Sequence, residues 1–265
     1  KIRLTEPEFN YFTTACEQEG IAPAVKAREL ILAYCMKDQS NGRLPLSEDG
    51  GLPVLVPGRS LRVAEMFSGP GGIGTALNRT KSEHFDFKHV WATDWDPDTC
   101  RTYRLNVLGN PEDERCICSD VRELDIDSLP VADGFLYGFP CNDFSLVGES
   151  KGLHGNYGGL FQYGVKYINR VNPLFFFAEN VSGLSSANDG RAFKVILDAL
   201  NHAGRYGYTI TAHLYKFEEY GVPQARHRYI MVGIRGDLGM KFAVPRPSGI
   251  VRTCAEALEG IPACA

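Results

Sequence analysis

A cysteine that follows a proline lies at the end of a predicted strand, among polar residues. The strand Gly134–Gly138 leads through Pro140 to Cys141, and polar side chains dominate the segment 142–145. A buried structural thiol, which is the common state of a free cysteine, fits these surroundings poorly. The thiolate of cysteine is a strong nucleophile that can form covalent intermediates. We therefore expect Cys141 to act as a catalytic nucleophile.

A glycine-rich turn follows the first predicted strand and could bind a nucleotide-type ligand. The turn covers residues 67–74. Its glycines would let the backbone approach a ligand, and the helix that follows would offer free N–H groups. The glycines are more crowded than in the pattern Gly-x-Gly-x-x-Gly, which favours an adenosine ligand other than NAD. A tight turn without a ligand is the alternative.

Acidic and aromatic residues end the next two predicted strands. Asp94 and Trp95 end the second strand, and Asp120 ends the third. Asp94 could accept hydrogen bonds from ribose hydroxyls, Asp120 could accept one from an adenine amino group, and Trp95 could lie against the adenine ring. Alternatively, Asp94 and Asp96 cap the helix that opens at Pro97. We favour the ligand hypothesis because three consecutive strand ends supply compatible groups.

Strand-like and helical segments alternate from residue 61 onward. This alternation predicts an α/β fold with a doubly wound, mostly parallel sheet and helices on both faces. The last two strands, joined through residues 221–223, could instead form a hairpin at the edge. The predicted strands are Leu61–Phe67, His89–Asp94, Arg115–Val121, Gly134–Gly138, Leu174–Asn180, Tyr208–Tyr215 and Tyr229–Arg235. The predicted helices are Gly72–Arg79, Pro97–Asn106, Gly159–Val171 and Arg191–Ala203.

The residues before this alternation divide into two parts. Residues 1–38 are interpreted as a helical segment, because the apolar side chains of residues 22–36 form a stripe at helical spacing. Residues 39–60 are rich in Gly, Pro and Ser without periodicity and are interpreted as a linker, which leaves 61–265 as the catalytic domain. The chain does not begin with methionine, so we expect it to be processed or trimmed.

Composition restricts the class of protein. Apolar residues make up 44% of the 265 residues and charged residues 23%, which excludes disordered and fibrous chains. The longest apolar run, Pro173–Ala178, is too short for a membrane span, so no membrane association is expected. The eight cysteines lack metal-finger spacing and no signal peptide is visible, so we expect no metal and a reducing, cytoplasmic compartment. Cys116 and Cys118 are interpreted as small buried thiols.

Four ordered motifs closely resemble those of the DNA (cytosine-5)-methyltransferases. They are Phe-x-Gly-x-Gly at 67–71, Pro-Cys-x-x-Phe-Ser at 140–145, Glu-Asn-Val at 179–181 and Gln-x-Arg-x-Arg at 224–228. The resemblance covers about residues 61–262. It implies a Rossmann-like class I methyltransferase fold with a seven-stranded sheet, S-adenosyl-L-methionine as the cofactor and double-stranded DNA as the substrate.

The resemblance also implies a role for each motif. The Cys141 thiolate would add to cytosine carbon 6, which makes carbon 5 able to attack a methyl group. Glu179 would hydrogen-bond N3 and the exocyclic N4, and Arg226 and Arg228 would face cytosine O2, the phosphate or the thiolate. The base must flip out of the duplex, and residues 146–159 resemble the mobile loop that closes over it. The cofactor would contact Phe67, Ser68, Gly69, Gly71, Gly72, Asp94, Trp95, Asp120, Val121 and Pro140.

The sequence departs from the family pattern in two positions and one region. Asn142 replaces a glutamine, and Tyr157 stands where many members have an arginine that contacts phosphate. No target-recognition domain and no motifs nine and ten are visible after residue 262. We expect them on a second subunit, on further chain, or upstream as in a permuted member, with residues 20–25 and the helix after them in place of motif ten. An ordinary N-terminal helix is the alternative there. Because the net charge is −4, any DNA contact must come from a local patch or a partner.

The leading hypothesis is methylation of DNA at the nucleoid of a bacterial cytoplasm. Three other functions are alternatives to it. The same chemistry could act on tRNA, as it does in one branch of the family. A non-catalytic, cofactor-binding subunit would have no need of Cys141 or Glu179, which argues against that function. An NAD-dependent oxidoreductase would rest on the glycine-rich turn alone.

Overall fold

The computed structural model describes most of the alternating region, namely residues 59–80, 82, 85–140, 159–185 and 190–260. The predicted N-terminal helix, nearly all of the predicted linker and Cys141 with the loop after it lie outside the described residues. The chain divides into two compact units. One unit comprises residues 1–60, 82–86 and 237–239, and the other comprises residues 61–81, 87–236 and 240–265. The second unit holds the strand ends and the candidate site.

Seven strands form one sheet. They are β1 (Arg59–Met66), β2 (Phe85–Asp94), β3 (Cys116–Cys118), β4 (Gly134–Tyr137), β5 (Phe175–Val181), β6 (Tyr208–Lys216) and β7 (His227–Arg235). Their order across the sheet is β3-β2-β1-β4-β5-β7-β6. The pairs β2–β3, β1–β4 and β4–β5 are parallel, whereas β7 is antiparallel to both β5 and β6. The predicted Rossmann-like, mostly parallel sheet of seven strands is confirmed, and its last two strands form the antiparallel pair.

The helices follow the predicted segments closely. The first four begin and end within three residues of the prediction, and a π-helical turn at Arg104–Leu108 continues the second one. A short fifth helix was not predicted; Thr253 and Glu256 cap its start with reciprocal hydrogen bonds. No helix of the described part is long and apolar enough to span a bilayer. The helices are α1 (Gly72–Arg79), α2 (Pro97–Tyr103), α3 (Leu160–Val171), α4 (Arg191–Asn201) and α5 (Cys254–Leu258).

Two hydrophobic clusters cover the two faces of the sheet. Trp91 and Ala92 are neighbours in β2, yet Trp91 packs in one cluster and Ala92 in the other. Because successive strand residues point to opposite faces, the clusters lie on opposite sides of the sheet. Tyr103 of α2 packs with Ala92, whereas Ile168 of α3 and Ile196 of α4 pack with Trp91. Helices therefore lie on both faces, as predicted.

Aromatic side chains bury the central strand β4, whose end leads toward the predicted nucleophile. The rings of Phe135 and Tyr137 stack with their centroids 5.0 Å apart, and Tyr167 of α3 packs 4.7 Å from Phe135. Trp91 donates its ring N–H to the Pro130 carbonyl at 3.0 Å and to the Tyr167 hydroxyl at 3.1 Å. This packing fixes the path of β4 between β1 and β5.

The segment that follows β7 returns along the last hairpin. Its contacts are mostly hydrogen bonds that involve backbone atoms. The Thr211 hydroxyl of β6 donates to the Phe242 carbonyl at 2.9 Å, and the Ser248 amide donates to the Glu219 carbonyl at 3.0 Å. The Cys254 thiol donates to the Pro223 carbonyl at 3.0 Å. Many side chains in this returning segment, residues 240–258, are exposed.

Candidate functional site

The predicted functional residues that the structure describes meet at one edge of the sheet. The parallel strands β1 to β5 present their carboxyl ends at this edge, which is where open α/β sheets bind ligands. Since β7 is antiparallel to β5, its first residues come to the same edge: Arg228 pairs with Val181 at the end of β5. The edge therefore combines the predicted cofactor residues with the predicted base-binding residues.

The glycine-rich turn adopts a left-handed backbone and folds over the end of β2. Phe67, Gly69 and Gly71 have φ values of 56°, 54° and 94°. A positive φ at Phe67 is uncommon for a residue with a side chain, and such backbone strain clusters at functional sites. The Ser68 amide donates to the Thr93 carbonyl at 3.0 Å, which joins the turn to β2.

The glycines of the turn have two different tasks. A Cβ added at Gly71 would lie 2.5 Å from a methyl group of Val107, so Gly71 permits close packing against the π-helical turn. A Cβ added at Gly69 or Gly72 would meet nothing within 4 Å. The backbone of these two glycines faces open space, which fits the close approach of a ligand to the turn.

Asp94 joins the glycine-rich turn to the start of α2. Its carboxylate accepts a hydrogen bond from the Gly69 amide at 2.9 Å and another from the Asp96 amide at 3.2 Å. Asp96 caps α2 by accepting from the Thr99 amide at 2.7 Å, with Pro97 in the first helical position. The alternative in which an aspartate caps α2 therefore applies to Asp96. Asp94 instead holds the glycine-rich turn through its hydrogen bond with the Gly69 amide. Trp95 is 75% exposed, so its ring is accessible to a ligand.

The third strand end presents a paired carboxylate. Asp120 accepts hydrogen bonds from the amide and Nε of Arg122, both at 2.9 Å. The Arg122 side chain lowers the pKa of Asp120, so this group is a carboxylate and a hydrogen-bond acceptor at neutral pH. Val121 is buried in the core, so only its backbone is available to the edge of the sheet.

Two arginines converge on the carboxylate at the end of β5. Glu179 Oε1 lies 2.7 Å from Nε of Arg228 and 4.0 Å from Nη2 of Arg226. The other oxygen, Oε2, faces Gly138 at the end of β4, where it is 3.5 Å from the position of an added Cβ. The two arginines therefore share one face, and they orient Glu179 toward the segment that leads to Cys141.

Asn180 fixes the segment that leads to the predicted nucleophile. Its amide Nδ2 donates to the Phe139 carbonyl at 2.9 Å, and its Oδ1 accepts from the Val181 amide at 2.8 Å. Asn180 is buried, with 1% of its surface exposed. The bond to Phe139 ties the end of β5 to the residues just before Cys141. Sequence reasoning noted Asn180 only as part of a motif and gave it no task.

A buried polar chain lies beneath the glycine-rich turn. Glu65 of β1 is 1% exposed and accepts from the Gly74 amide of α1. The Tyr103 hydroxyl of α2 lies 3.1 Å from Glu65 Oε2 and 3.4 Å from Nδ1 of His89. Nε2 of His89 lies 3.0 Å from Oδ1 of Asn78, whose Nδ2 donates to the Val107 carbonyl. The chain thereby links β1, β2, α1 and α2.

Burial places a proton on Glu65, because it raises the pKa of this carboxyl group to about 8. Asn78 uses its N–H group on a carbonyl, so its Oδ1 accepts from Nε2 of a neutral His89. The Tyr103 hydroxyl donates to Glu65 Oε2, and the same hydroxyl lies 3.4 Å from Nδ1 of His89. Burial also lowers the pKa of His89 to about 4, so its ring is neutral at neutral pH.

Sequence reasoning missed this chain, although a signal was present. Glu65 stands between apolar residues, in the order Val63-Ala64-Glu65-Met66. A carboxyl group inside an apolar strand is buried on either face, and buried carboxyl groups need partners. The identity of those partners could not be read from the sequence, because they come from three other elements.

The amino-acid sequence of the chain is similar to those of known proteins. The profile of the C-5 cytosine-specific DNA methylases matches residues 61–258. The chain is 52% identical over 213 residues to the type II methyltransferase M.BbvI of Brevibacillus brevis, a match that covers 76% of this chain and 57% of the relative. It is 33% identical over 189 residues to M.NgoFVII of Neisseria gonorrhoeae, covering 71% and 47%. The chain thus spans about half the length of the curated relatives it matches.

A solved structure shares the fold. A putative DNA modification methyltransferase encoded within an Escherichia coli prophage superposes with a TM-score of 0.60 at 24% identity, covering 77% of this chain and 56% of that one. This likeness supports the Rossmann-like architecture.

The pH dependence of stability tests the proton on Glu65. The folded state keeps this proton to about pH 8, whereas the unfolded chain releases it near 4.5, so stability falls as the pH rises between those values. His89 acts in the opposite direction below its ordinary pKa of 6.5. From pH 6.5 to 8, we therefore expect the free energy of unfolding to fall by at most about 1.4 kcal/mol per pH unit because of Glu65.

Glu65→Gln is the matched variant for this measurement. Its amide oxygen keeps an acceptor for the Tyr103 hydroxyl, and the amide does not titrate. Urea unfolding of both proteins at several pH values from 6.5 to 8 should give a flatter stability curve for the variant. Parallel curves for the two proteins would contradict a protonated Glu65.

Proposed function

The chain belongs to the C-5 cytosine-specific DNA methylase family, and from this premise we propose that it transfers a methyl group to carbon 5 of cytosine in double-stranded DNA. The observation that carries the proposal is the placement of Glu179, which Arg228 holds at the end of β5 with Oε2 facing the end of β4. The family membership argues against the NAD-dependent oxidoreductase. The profile of DNA methylases favours DNA over tRNA as the substrate.

Cys141 supplies the nucleophile in this proposal. It lies outside the described residues, so its role is supported by the motif at 140–145 and by the anchoring of Phe139 through Asn180. The thiolate adds to carbon 6 of the flipped cytosine, and carbon 5 then carries the electron density that attacks a methyl group. After methyl transfer, loss of the carbon 5 proton expels the thiolate. Glu179 hydrogen-bonds N3 and the exocyclic N4, which relieves the charge that builds on the ring during thiolate attack.

The arginines fix the orientation of Glu179. Because Nε of Arg228 lies 2.7 Å from Oε1, the carboxylate cannot turn freely. Its other oxygen, Oε2, therefore remains directed toward Gly138, beside which the flipped cytosine would bind in this proposal. Arg226 is more exposed and lies 4.0 Å from the same oxygen, so it is available to contact cytosine O2 or a phosphate. A carboxylate that is already held in one orientation loses less conformational entropy at the reacting step.

The cofactor is S-adenosyl-L-methionine, which supplies an electrophilic methyl group on its sulfonium. The open backbone at Gly69 and Gly72, the acceptor Asp94 and the exposed ring of Trp95 fit such a ligand. Asp120 is the acceptor for the adenine amino group. The contacts proposed with Phe67, Ser68, Gly71, Val121 and Pro140 complete the cofactor site.

Further protein is needed for DNA recognition in this proposal. The chain spans about half the length of its curated relatives, and its net charge of −4 opposes attraction to phosphates. Flipping a base costs a few kcal/mol of unstacking, which contacts outside the pocket must offset. A second subunit or further chain would supply these contacts. Residues 1–38, 39–60 and 61–265 serve as helical segment, linker and catalytic domain, and the protein works at the DNA of the bacterial cytoplasm.

Asp94 is predicted to have two effects on cofactor binding. Asp94→Ala removes the acceptor for ribose hydroxyls and the brace on the Gly69 amide, so calorimetry should show affinity for S-adenosylmethionine weakened by about 1–3 kcal/mol. Asp96→Ala is the control, because Asp96 caps α2 and does not bind the cofactor in this proposal. An equal loss of affinity in both variants would contradict the assignment of Asp94.

Covalent trapping tests Cys141. Fluorine at carbon 5 blocks the loss of the proton that expels the thiolate, so DNA that contains 5-fluorocytosine should remain attached to the enzyme. Mass spectrometry should locate the adduct on Cys141, and Cys141→Ser should form none while it still binds the cofactor. An adduct on another cysteine would overturn the assignment.

Activity of the 265-residue chain tests the need for further protein. We expect the purified chain to bind the cofactor but to methylate duplex DNA weakly or not at all. Addition of the adjacent gene product, or extension of the chain, should restore methyl transfer measured with labelled cofactor. Robust, site-specific methylation by the isolated chain would show that no partner is required.

A further inference from the structure

Three cysteines meet beneath the end of β2. Cys100 comes from α2, and Cys116 and Cys118 come from β3. Burial and the neighbouring thiols of Cys116 and Cys118 raise the pKa of the Cys100 thiol. Cys100 and Cys116 are buried, whereas Cys118 is exposed. The interpretation of Cys118 as a buried thiol is therefore wrong: Cys118 ends the short strand β3, where it opens to solvent.

The thiol cluster, defined as Cys100, Cys116 and Cys118, contacts the backbone that carries the proposed cofactor residues. The Cys100 thiol donates to the Asp94 carbonyl at 3.4 Å, and the Cys118 thiol donates to the Trp95 carbonyl at 3.8 Å. Cys118 is also the register partner of Asp94 in the β2–β3 pair. A chemical change at these sulfurs therefore acts directly on the backbone of Asp94 and Trp95.

The thiol cluster is not interpreted as a metal site. No group of three or more His, Cys, Asp or Glu side chains among the described residues could hold a metal ion. Burial raises the pKa values of Cys100 and Cys116, so both remain protonated at neutral pH. The accessible member, Cys118, is the one that solvent-borne reagents can reach.

We propose that Cys118 and Cys100 form a peroxide-sensitive thiol pair whose oxidation to a disulfide weakens cofactor binding. The Cys118 thiolate attacks one oxygen of hydrogen peroxide, the O–O bond breaks, and a sulfenic acid and hydroxide form. The Cys100 thiol then attacks the sulfenic sulfur, and its proton leaves with the hydroxyl group as water. The two sulfurs lose two electrons in total, which reduce one peroxide to two water molecules.

The disulfide would change the cofactor edge in two ways. It removes the S–H groups that donate to the carbonyls of Asp94 and Trp95. It also makes a covalent link between α2 and β3, which holds the two Cα atoms about 4.4–6.8 Å apart. Asp94 braces the Gly69 amide, so a shift of this strand end is passed to the glycine-rich turn. The expected loss of cofactor affinity rests on the proposed function, whereas the disulfide itself does not.

The experiment uses the full chain with Cys141→Ser, so that the proposed catalytic thiol does not react with peroxide. Binding of S-adenosylmethionine by the reduced protein is measured first, and its absence would count against the proposed function alone. After treatment with hydrogen peroxide, peptide mapping without reductant should find Cys100 linked to Cys118. The dissociation constant should rise at least tenfold and return with dithiothreitol.

Two further variants separate the pair from general oxidation. Cys118→Ser should form no link and keep its affinity after peroxide. Cys254→Ser removes the other exposed thiol of the described part and should behave like the parent. Cys100→Ala, checked for folding by thermal melting, should leave Cys118 as a sulfenic or sulfinic acid. A link between other cysteines, overoxidised Cys118 without a link in the parent, or unchanged affinity once the link has formed would each overturn the proposal.

Discussion

A carboxyl group inside the sheet sets the conditions for everything around the glycine-rich turn. Glu65 is surrounded by apolar strand residues, and a buried polar group without partners costs several kcal/mol. The structure meets this cost with a continuous chain through Tyr103, His89 and Asn78, which come from three different elements. Such a chain is satisfied only when β1, β2, α1 and α2 hold their relative positions. The glycine-rich turn therefore rests on a polar network that is sensitive to geometry.

The antiparallel direction of β7 has the corresponding effect on the other half of the site. A parallel strand in this place would bring its carboxyl end to the edge, and residues 226–228 would lie at the opposite end of the sheet. Because β7 runs the other way, Arg226 and Arg228 arrive beside the end of β5, where Glu179 stands. The carboxylate and the cations that orient it are thus joined by topology rather than by proximity in the sequence.

The sequence predicted the sheet well because its strands are short, largely apolar runs, and the segments between them contain Gly, Asp and Pro. The same local signals placed Asp94, Asp120 and Glu179 at strand ends, whereas Cys141 lies outside the described residues. What depends on long-range geometry could not be predicted. The division of tasks between Asp94 and Asp96 is set by the Gly69 amide, which reaches across from β1. The exposure of Cys118 depends on where β3 stops, and the strand ends at Cys118, three residues before its predicted end at Val121.

The returning segment after β7 has a consequence for how such proteins diverge. Its course is fixed by the carbonyls of residues 219, 223, 242 and 245 and by the amide of Ser248, whereas many of its side chains point to solvent. Carbonyl groups are the same in every amino acid, so mutations can accumulate in this segment while its route stays unchanged. Evolution is thereby free to alter many of the exposed positions between residues 240 and 258, whereas Cys254 is constrained because its thiol holds the chain beside Pro223, close in sequence to Arg226 and Arg228.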